Sequence, residues 1–261
     1  MGGSIDKSLD MGYDDPRNTM IKELKRYYQQ QGISALGFDC THFKHCREGY
    51  EEKFVKAKEA FVGTEYEKGR LPRLLFVSLD PGDSPRLGKH RTVDYVRLHE
   101  ENDCRVAELL KNRHWYRTHE LAWTLLQRIK PDLRIEDSHL YFAHTNSAKC
   151  CVNNDDKKAG PGVLFNNCRE YLREEIIILK PDILVTQGDW AKHAIKEIFF
   201  KESCDLRSPA GNDLCSYVPF DMGKRKVIWF PTYHPGAYGL FNKQKKTCWE
   251  IWATIVHKTF K

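Results

Sequence analysis

Short apolar runs separated by longer amphipathic stretches set the pattern of this chain. Residues 74–78, 183–186 and 227–230 (LLFVS, ILVT and VIWF) are apolar runs of strand length, suited to burial on both faces of a parallel sheet. Residues 140–144 alternate apolar and polar and read as a fourth strand. Helical spacing fills the intervals. In residues 20–31, Ile21, Leu24, Tyr27 and Tyr28 share one face and Gly32 ends the helix. Residues 120–129 repeat the pattern with Leu121, Trp123, Leu125 and Leu126. A helix over 168–179 is stopped by Lys180-Pro181, because proline disfavours helical geometry in the residue before it. Residues 189–200 turn Ala191, Ala194, Ile195, Ile198 and Phe199 inward, and 248–260 carry Trp249, Trp252 and Val256 as a stripe. Residues 50–60 read as a charged helix and 201–224 as an irregular or hairpin region. Strand–helix–strand order predicts an α/β fold with a parallel sheet. Residues 1–18, polar and rich in Gly and Asp, read as a loose tail.

A length of 261 residues suits one large domain, here 19–261. No apolar run approaches the ~20 residues of a membrane span. The start lacks a basic-then-apolar leader, so a cytoplasmic location and no membrane partner are expected. The net charge of +6 suits a polyanion, or simply a basic soluble surface. No carboxylate cluster for divalent metal and no phosphate-cradling glycine loop is visible, which argues against a nuclease, an NTPase or a nucleotide cofactor.

The nine cysteines change the picture. In a reducing compartment, clustered cysteines favour metal binding or chemistry over disulfides. Cys40 and Cys46 form a near pair, and Cys150 and Cys168 follow after a long gap. Four thiolates could hold an iron–sulfur cluster or a zinc ion, or remain buried thiols. Cys151 could replace Cys150 as the ligand. Cys104, Cys204, Cys215 and Cys248 lack partner spacing and read as packing residues.

Three of the expected strands end in residues with chemistry: Asp80 in Leu79-Asp80-Pro81-Gly82, Asn146 in Asn146-Ser147-Ala148-Lys149-Cys150, and His234 in His234-Pro235-Gly236. Carboxyl ends of parallel strands are where open α/β sheets bind ligands.

These motifs, in this order, resemble the iron–sulfur (family 4-like) branch of the uracil-DNA glycosylase superfamily. There a strand leads to N-x-x-K-C, a polar loop, a second cysteine opening a helix, L-K-P and a strand ending in glycine. Asn146, Lys149, Cys150, Cys168, Tyr171-Leu172, Leu179-Lys180-Pro181 and Gly188 follow that order, and the likeness runs from about Asp39 to the C-terminus. It implies a three-layer α/β/α sandwich with a central, mostly parallel four-stranded sheet. It implies a [4Fe–4S] cluster on Cys40, Cys46, Cys150 and Cys168, with structural zinc as the alternative. It also implies a DNA partner, duplex or single-stranded, with a damaged or modified base.

In the implied chemistry the target nucleotide is swung out of the stack. Asp80 stabilises the sugar cation and orients water, and His234 donates to the departing base. Asn146 reads a pyrimidine edge. Tyr238 and Leu240 stand where relatives push a wedge into DNA, and Lys243, Lys245 and Lys246 offer phosphate contacts.

Several residues depart from the branch. Cys40 and Cys46 are spaced wider than its usual C-x-x-C. Ser78 replaces a glycine, Leu79 an acidic residue and Gly236 a serine, while Asp80 aligns with the aspartate of the classical uracil glycosylases. The branch's aromatic segment after the first motif is missing. In its place an insertion at about 85–119 is rich in Arg, Lys, His, Tyr and Trp, and reads as a lining for the pocket or DNA channel, or as a solvated helical insertion. The departures suit uracil or a bulkier modified cytosine, as in phage DNA, which would make the activity an antiphage defence. A DNA-binding module that kept the cysteine staple and lost turnover is the alternative, as is an inert zinc-stapled adaptor.

Overall fold

The computed structural model describes residues 19–82, 87–103, 110–111, 113–153, 159–200 and 204–261. In chain order these hold α1 (Thr19–Gln30), α2 (Phe43–Arg47), β1 (Phe54–Val55), β2 (Phe61–Val62), α3 (Thr64–Lys68), β3 (Leu74–Ser78), α4 (Val93–Asp103) and α5 (Arg113–Leu126). Then come β4 (Phe142–Asn146), β5 (Cys151–Val152), α6 (Gly162–Asn167), α7 (Arg169–Leu179), β6 (Ile183–Gln187), α8 (Asp189–Phe199), β7 (Val218–Met222), β8 (Arg225–Thr232) and α9 (Tyr238–Phe260).

The main sheet runs β2-β4-β3-β6-β8-β7. Its centre, β4-β3-β6-β8, is parallel and made from the three apolar runs and the alternating segment. The expected four strands are therefore extended to six: β2 and β7 pair antiparallel at the two edges. Side chains alternate between two cores. Leu75, Val77 and Leu184 face Leu24, Tyr28, Leu172, Ile176 and Ile195, from α1, α7 and α8. Leu74, Phe76, Ile183, Val185 and Phe230 face Leu121, Leu125, Phe241, Trp249 and Trp252, from α5 and α9. Each buried leucine here contributes about 1.5–3 kcal/mol by leaving water. Lys180 closes α7 in the left-handed region (φ 51°), the geometry that satisfies a helix end ahead of Pro181.

Tertiary contacts moved several boundaries. Residues 50–60 are not helical: β1 pairs with β5, and beyond it the buried Glu59 carboxylate accepts from Ala35 N, Ser34 Oγ and Val93 N. An extended chain lets these distant donors reach it. The fourth strand lies two residues later than expected, after the seven-residue 3-10 helix Ile135–Tyr141. Helix α5 starts at Arg113, so the end of the 85–119 stretch is core, with Thr118 and His119 fully buried. Arg91 is also buried and donates to Ala57 O. Arg86 and Cys104 lie outside the described residues. Helix α9 starts at Tyr238, ten residues before the expected Cys248. Cys215 and Cys248, expected as separate packing residues, form a disulfide across 33 residues with a Cα–Cα distance of 4.9 Å. It ties the turn Asp213–Cys215 to α9.

Two fully enclosed imidazoles make stability depend on pH. His119 and His139 pack with ring centroids 5.5 Å apart. Burial pushes His119 down to about 3 and lowers His139 as well. In the unfolded chain both bind protons from about pH 6.5 downward. The unfolded state then holds more protons, so stability is complete above that pH and falls as pH falls toward the folded pKa values. Each such group contributes up to about 1.4 kcal/mol per pH unit. Half-buried Asp80 and buried Glu59, whose pKa values are raised by desolvation, act in the opposite sense at the acid end. Urea midpoints are expected to fall between pH 7 and 5; a flat profile would show that the imidazoles are not held neutral.

Candidate functional site

Parallel pairing brings four strand ends into one row. Asn146 is registered against Ser78, and Gln187 against Thr232. The chain leaving β4 is tied to the chain leaving β3: Ser147 N donates to Ser78 O at 2.9 Å and Ala148 N to Leu79 O at 3.0 Å. On the other side, Gly188 follows β6 with φ 104°, and a Cβ there would lie 2.9 Å from Leu79 Cδ2 and 3.2 Å from His234 Cβ. Only a residue without a side chain lets these loops approach so closely. Asp80, Asn146 and His234 thus stand at the carboxyl ends of β3, β4 and β8, along one edge of the sheet.

Asp80 is pinned. Its Oδ1 accepts from Gly82 N at 3.0 Å and its Oδ2 from Gly160 N at 2.6 Å. Burial nevertheless holds its pKa above the usual carboxylate range, with the backbone donors pulling the other way. Asn146 is 6% exposed, yet its amide makes no hydrogen bond with any described residue. His234 Nδ1 accepts from Gly236 N at 3.1 Å. Burial lowers the ring's pKa, so the neutral imidazole carries its proton on Nε2. At Gly236 a Cβ would sit 2.9 Å from Nδ1, so the serine expected there would press on the ring.

The Ser78 departure is absorbed by the fold. Ser78 Oγ donates to Gln187 Oε1 at 2.7 Å, which leaves His144 Nε2 to donate to Ser78 Oγ at 2.8 Å. Gln187 Nε2 continues to Thr118 Oγ1 of α5 at 3.0 Å. This buried network forms a floor beneath the row. Lys149 is equally structural: it forms a buried ion pair with Glu175 and donates to Thr145 Oγ1 at 2.6 Å.

Helix α5 supplies residues that the sequence reading missed. His114 lies with its ring 4.9 Å from that of His234. Arg117 Nη1 donates to Pro235 O, and its guanidinium stacks 4.3 Å over Tyr238. Arg117 thereby holds the His-Pro-Gly turn against α9. Tyr238 and Leu240 are each 50% exposed on the first turn of α9, and Lys243 and Lys246 are exposed beyond them. Lys245 instead pairs with Glu120 and lies 5.4 Å over the Trp249 ring, so its charge is already engaged.

Cys40, Cys46, Cys150 and Cys168 line one cavity with Ile33, Phe38 and Leu164. Polar hydrogens are aimed at the sulfurs: Asn167 Nδ2 to Cys46 at 3.3 Å and Lys149 N to Cys168 at 3.3 Å. Tyr171 OH lies 3.6 Å from Cys40 Sγ. Burial pushes the Cys168 thiol up to about 12 and Cys150 well above its ordinary value, so thiolates here need a cationic guest. Among the described residues no three Cys, His, Asp or Glu side chains gather closely enough for a single metal ion. Four sulfurs spread around a shared void fit a polynuclear group better than one zinc. Cys151 turns away and donates from Sγ to Gly82 O at 2.9 Å.

The match to known proteins agrees with this geometry. The family model of the uracil DNA glycosylase superfamily matches residues 67–256. Over 119 residues the chain is 35% identical to a Type-4 uracil-DNA glycosylase of Sulfurisphaera tokodaii, covering 45% of this chain and 50% of that one. Over 98 residues it is 30% identical to a Type-4 uracil-DNA glycosylase of Saccharolobus solfataricus, covering 38% and 42%. The chain thus spans about half the length, or less, of the curated relatives it matches. With a family match that takes in most of the chain and includes Asp80, Asn146 and His234, the protein belongs to the uracil-DNA glycosylase superfamily.

Proposed function

We propose that the protein is a monofunctional DNA glycosylase that hydrolyses the N-glycosidic bond of a flipped-out, non-canonical pyrimidine and leaves an abasic site. The observation that carries this is a row along one edge of the sheet: the Asn146 amide, which makes no side-chain hydrogen bond with a described residue, then the pinned Asp80 carboxylate, then the neutral His234 imidazole. Breaking the bond builds positive charge on the sugar and negative charge on the departing base. Asp80, with both oxygens aligned by backbone N–H groups, stabilises the first and orients the attacking water. His234 Nε2–H donates to a base oxygen as charge develops, and being neutral it is a weak acid that keeps this proton while polarising the base. Asn146 reads the pyrimidine edge with one donor and one acceptor. Tyr238 and Leu240 fill the gap left in the stack, and Lys243 and Lys246 meet phosphates.

The cysteine cavity would hold a [4Fe–4S] cluster on Cys40, Cys46, Cys150 and Cys168, whose contribution is structural. It staples the α2 segment to the chain between β4 and α7. No catalytic step passes through it.

A panel of duplex and single-stranded oligonucleotides carrying uracil or modified cytosines, followed by alkaline cleavage of abasic sites, tests the reading. Strand breaks at one of these bases are expected. Tight binding to DNA without excision of any base would instead make the protein a non-catalytic DNA-binding module. Excision of bulky cytosines such as those of phage DNA would place the activity in antiphage defence, and excision of uracil in base-excision repair.

A further inference from the structure

Pro235 and Gly236 share one peptide group, and both of its polar ends are engaged. The Pro235 carbonyl accepts from Arg117 Nη1 of α5. At the other end, Gly236 N donates to His234 Nδ1 at 3.1 Å. No peptide bond among the described residues is cis. In a planar trans unit the C=O and N–H point in opposite directions, so a hold on one aims the other. The guanidinium therefore fixes the plane of the peptide that meets the His234 ring. It also polarises that peptide, because a cationic donor on the oxygen strengthens the N–H as a donor in turn.

Arg117 is itself held in place. Its guanidinium lies 4.3 Å over the Tyr238 ring and 5.4 Å from the centre of the Phe241 ring, and Phe241 is fully buried. One turn earlier on α5, His114 places its ring 4.9 Å from that of His234. Helix α5 thus meets the imidazole twice, directly at the ring and through the turn that follows it. An imidazole that accepts at Nδ1 carries its proton on Nε2, and the bond made at Nδ1 decides which nitrogen is protonated. With the proton on Nδ1 instead, Nε2 would be an acceptor and would oppose the negative charge building on a base oxygen.

We propose that Arg117 is a positioning residue for base excision: acting through the Pro235–Gly236 peptide, it fixes the His234 imidazole in the orientation and Nε2–H tautomer from which it donates to the departing base. The inference rests on the glycosylase reading, and Arg117 acts through His234 rather than on the substrate.

Nitrogen NMR of isotopically labelled histidine side chains reads the tautomer in the DNA-free protein, with the His234 signal assigned by its loss in His234→Gln. Wild type is expected to show a protonated Nε2 and a bare Nδ1. In Arg117→Met, which keeps an unbranched side chain but removes its donors, the signals are expected to move toward a mixture of tautomers. The single-turnover rate at saturating DNA is expected to fall roughly 10–100-fold, the effect of losing a hydrogen bond from a charged donor. Arg117→Lys keeps a cationic donor and is expected to lie between the two. Glu120→Gln is the packing control: it cuts the Lys245 pair between the same two helices, away from the turn, and should leave the tautomer and the saturated rate unchanged. A wild-type His234 with its proton on Nδ1 overturns the inference without any variant. So does an unchanged tautomer in Arg117→Met, or in Arg117→Lys should only that variant fold, and so does a rate loss that Glu120→Gln shares in full. A wild-type protein that excises no base sinks the glycosylase reading, while the NMR signals still decide whether Arg117 sets the state of His234.

Discussion

Asp80→Asn is expected to slow base excision roughly 10²–10⁴-fold, the range for loss of a positioned acid–base group. The two side chains are nearly identical in shape, so the charge is what is removed. The carboxylate accepts two backbone donors, Gly82 N and Gly160 N, one on each oxygen. An amide can accept only one of them and must turn its own N–H₂ toward the other. A stability loss of about 1–3 kcal/mol accompanies the substitution, from one unsatisfied donor. Single-turnover rates on folded protein separate the two effects. In the wild-type protein the rate should fall as pH drops through the pKa of Asp80, which burial has raised above the ordinary carboxylate value. An Asp80→Asn protein that excises as fast as wild type would remove the carboxylate from the mechanism.

Cys150→Ser is expected to abolish iron binding and to loosen the N-terminal third of the domain. Cys150 lies in the cavity with Cys40, Cys46 and Cys168, and its thiol is raised by burial and by the three neighbouring sulfurs. Without a cluster, three buried thiols that burial holds neutral, Cys46, Cys150 and Cys168, and the half-buried Cys40 face an incompletely filled space. With it, binding energy becomes folding energy, so losing one ligand costs several kcal/mol in a domain whose total stability is of the order of 5–15 kcal/mol. The checks are iron and sulfide content, visible absorbance, and faster proteolysis within residues 31–56. Cys151→Ser is the control: its sulfur points to Gly82 O, and iron content should be retained. A colourless wild-type protein containing zinc would overturn the cluster, and equal iron in wild type and Cys150→Ser would overturn the ligand set.

Local signals and long-range contacts contributed differently to what could be read from the chain. Three central strands were legible because burial on both faces demands an unbroken apolar run, as in Leu74–Ser78 and Ile183–Gln187, and the fourth, Phe142–Asn146, from an alternating stretch two residues earlier. The edge strands were not: β2 has two residues, too few for any periodicity, and exists because Phe61 and Val62 pair with His144 and Ala143. The start of α5 was hidden because His114, Trp115, Thr118 and His119 are polar or mixed in character. Thr118 and His119 are buried, and His114 and Trp115 half-buried, by a polar network and aromatic packing that no local pattern encodes. Cys215 and Cys248 meet across 33 residues, a distance at which spacing says nothing.

The sequence by itself determined the α/β order, the central strands, and the residue types that end them: a carboxylate, an amide and an imidazole. These depend on neighbours a few positions away, through hydrophobic periodicity and turn chemistry. Tertiary structure alone decided that Asn146 ends its strand in register with Ser78, that His234 carries its proton on Nε2, and that Cys150 rather than Cys151 faces the cavity. It also placed the His114 ring beside that of His234. Those outcomes depend on strand register and on loops brought together from distant parts of the chain, where a shift of a few ångströms changes which atom is satisfied and which is free to act.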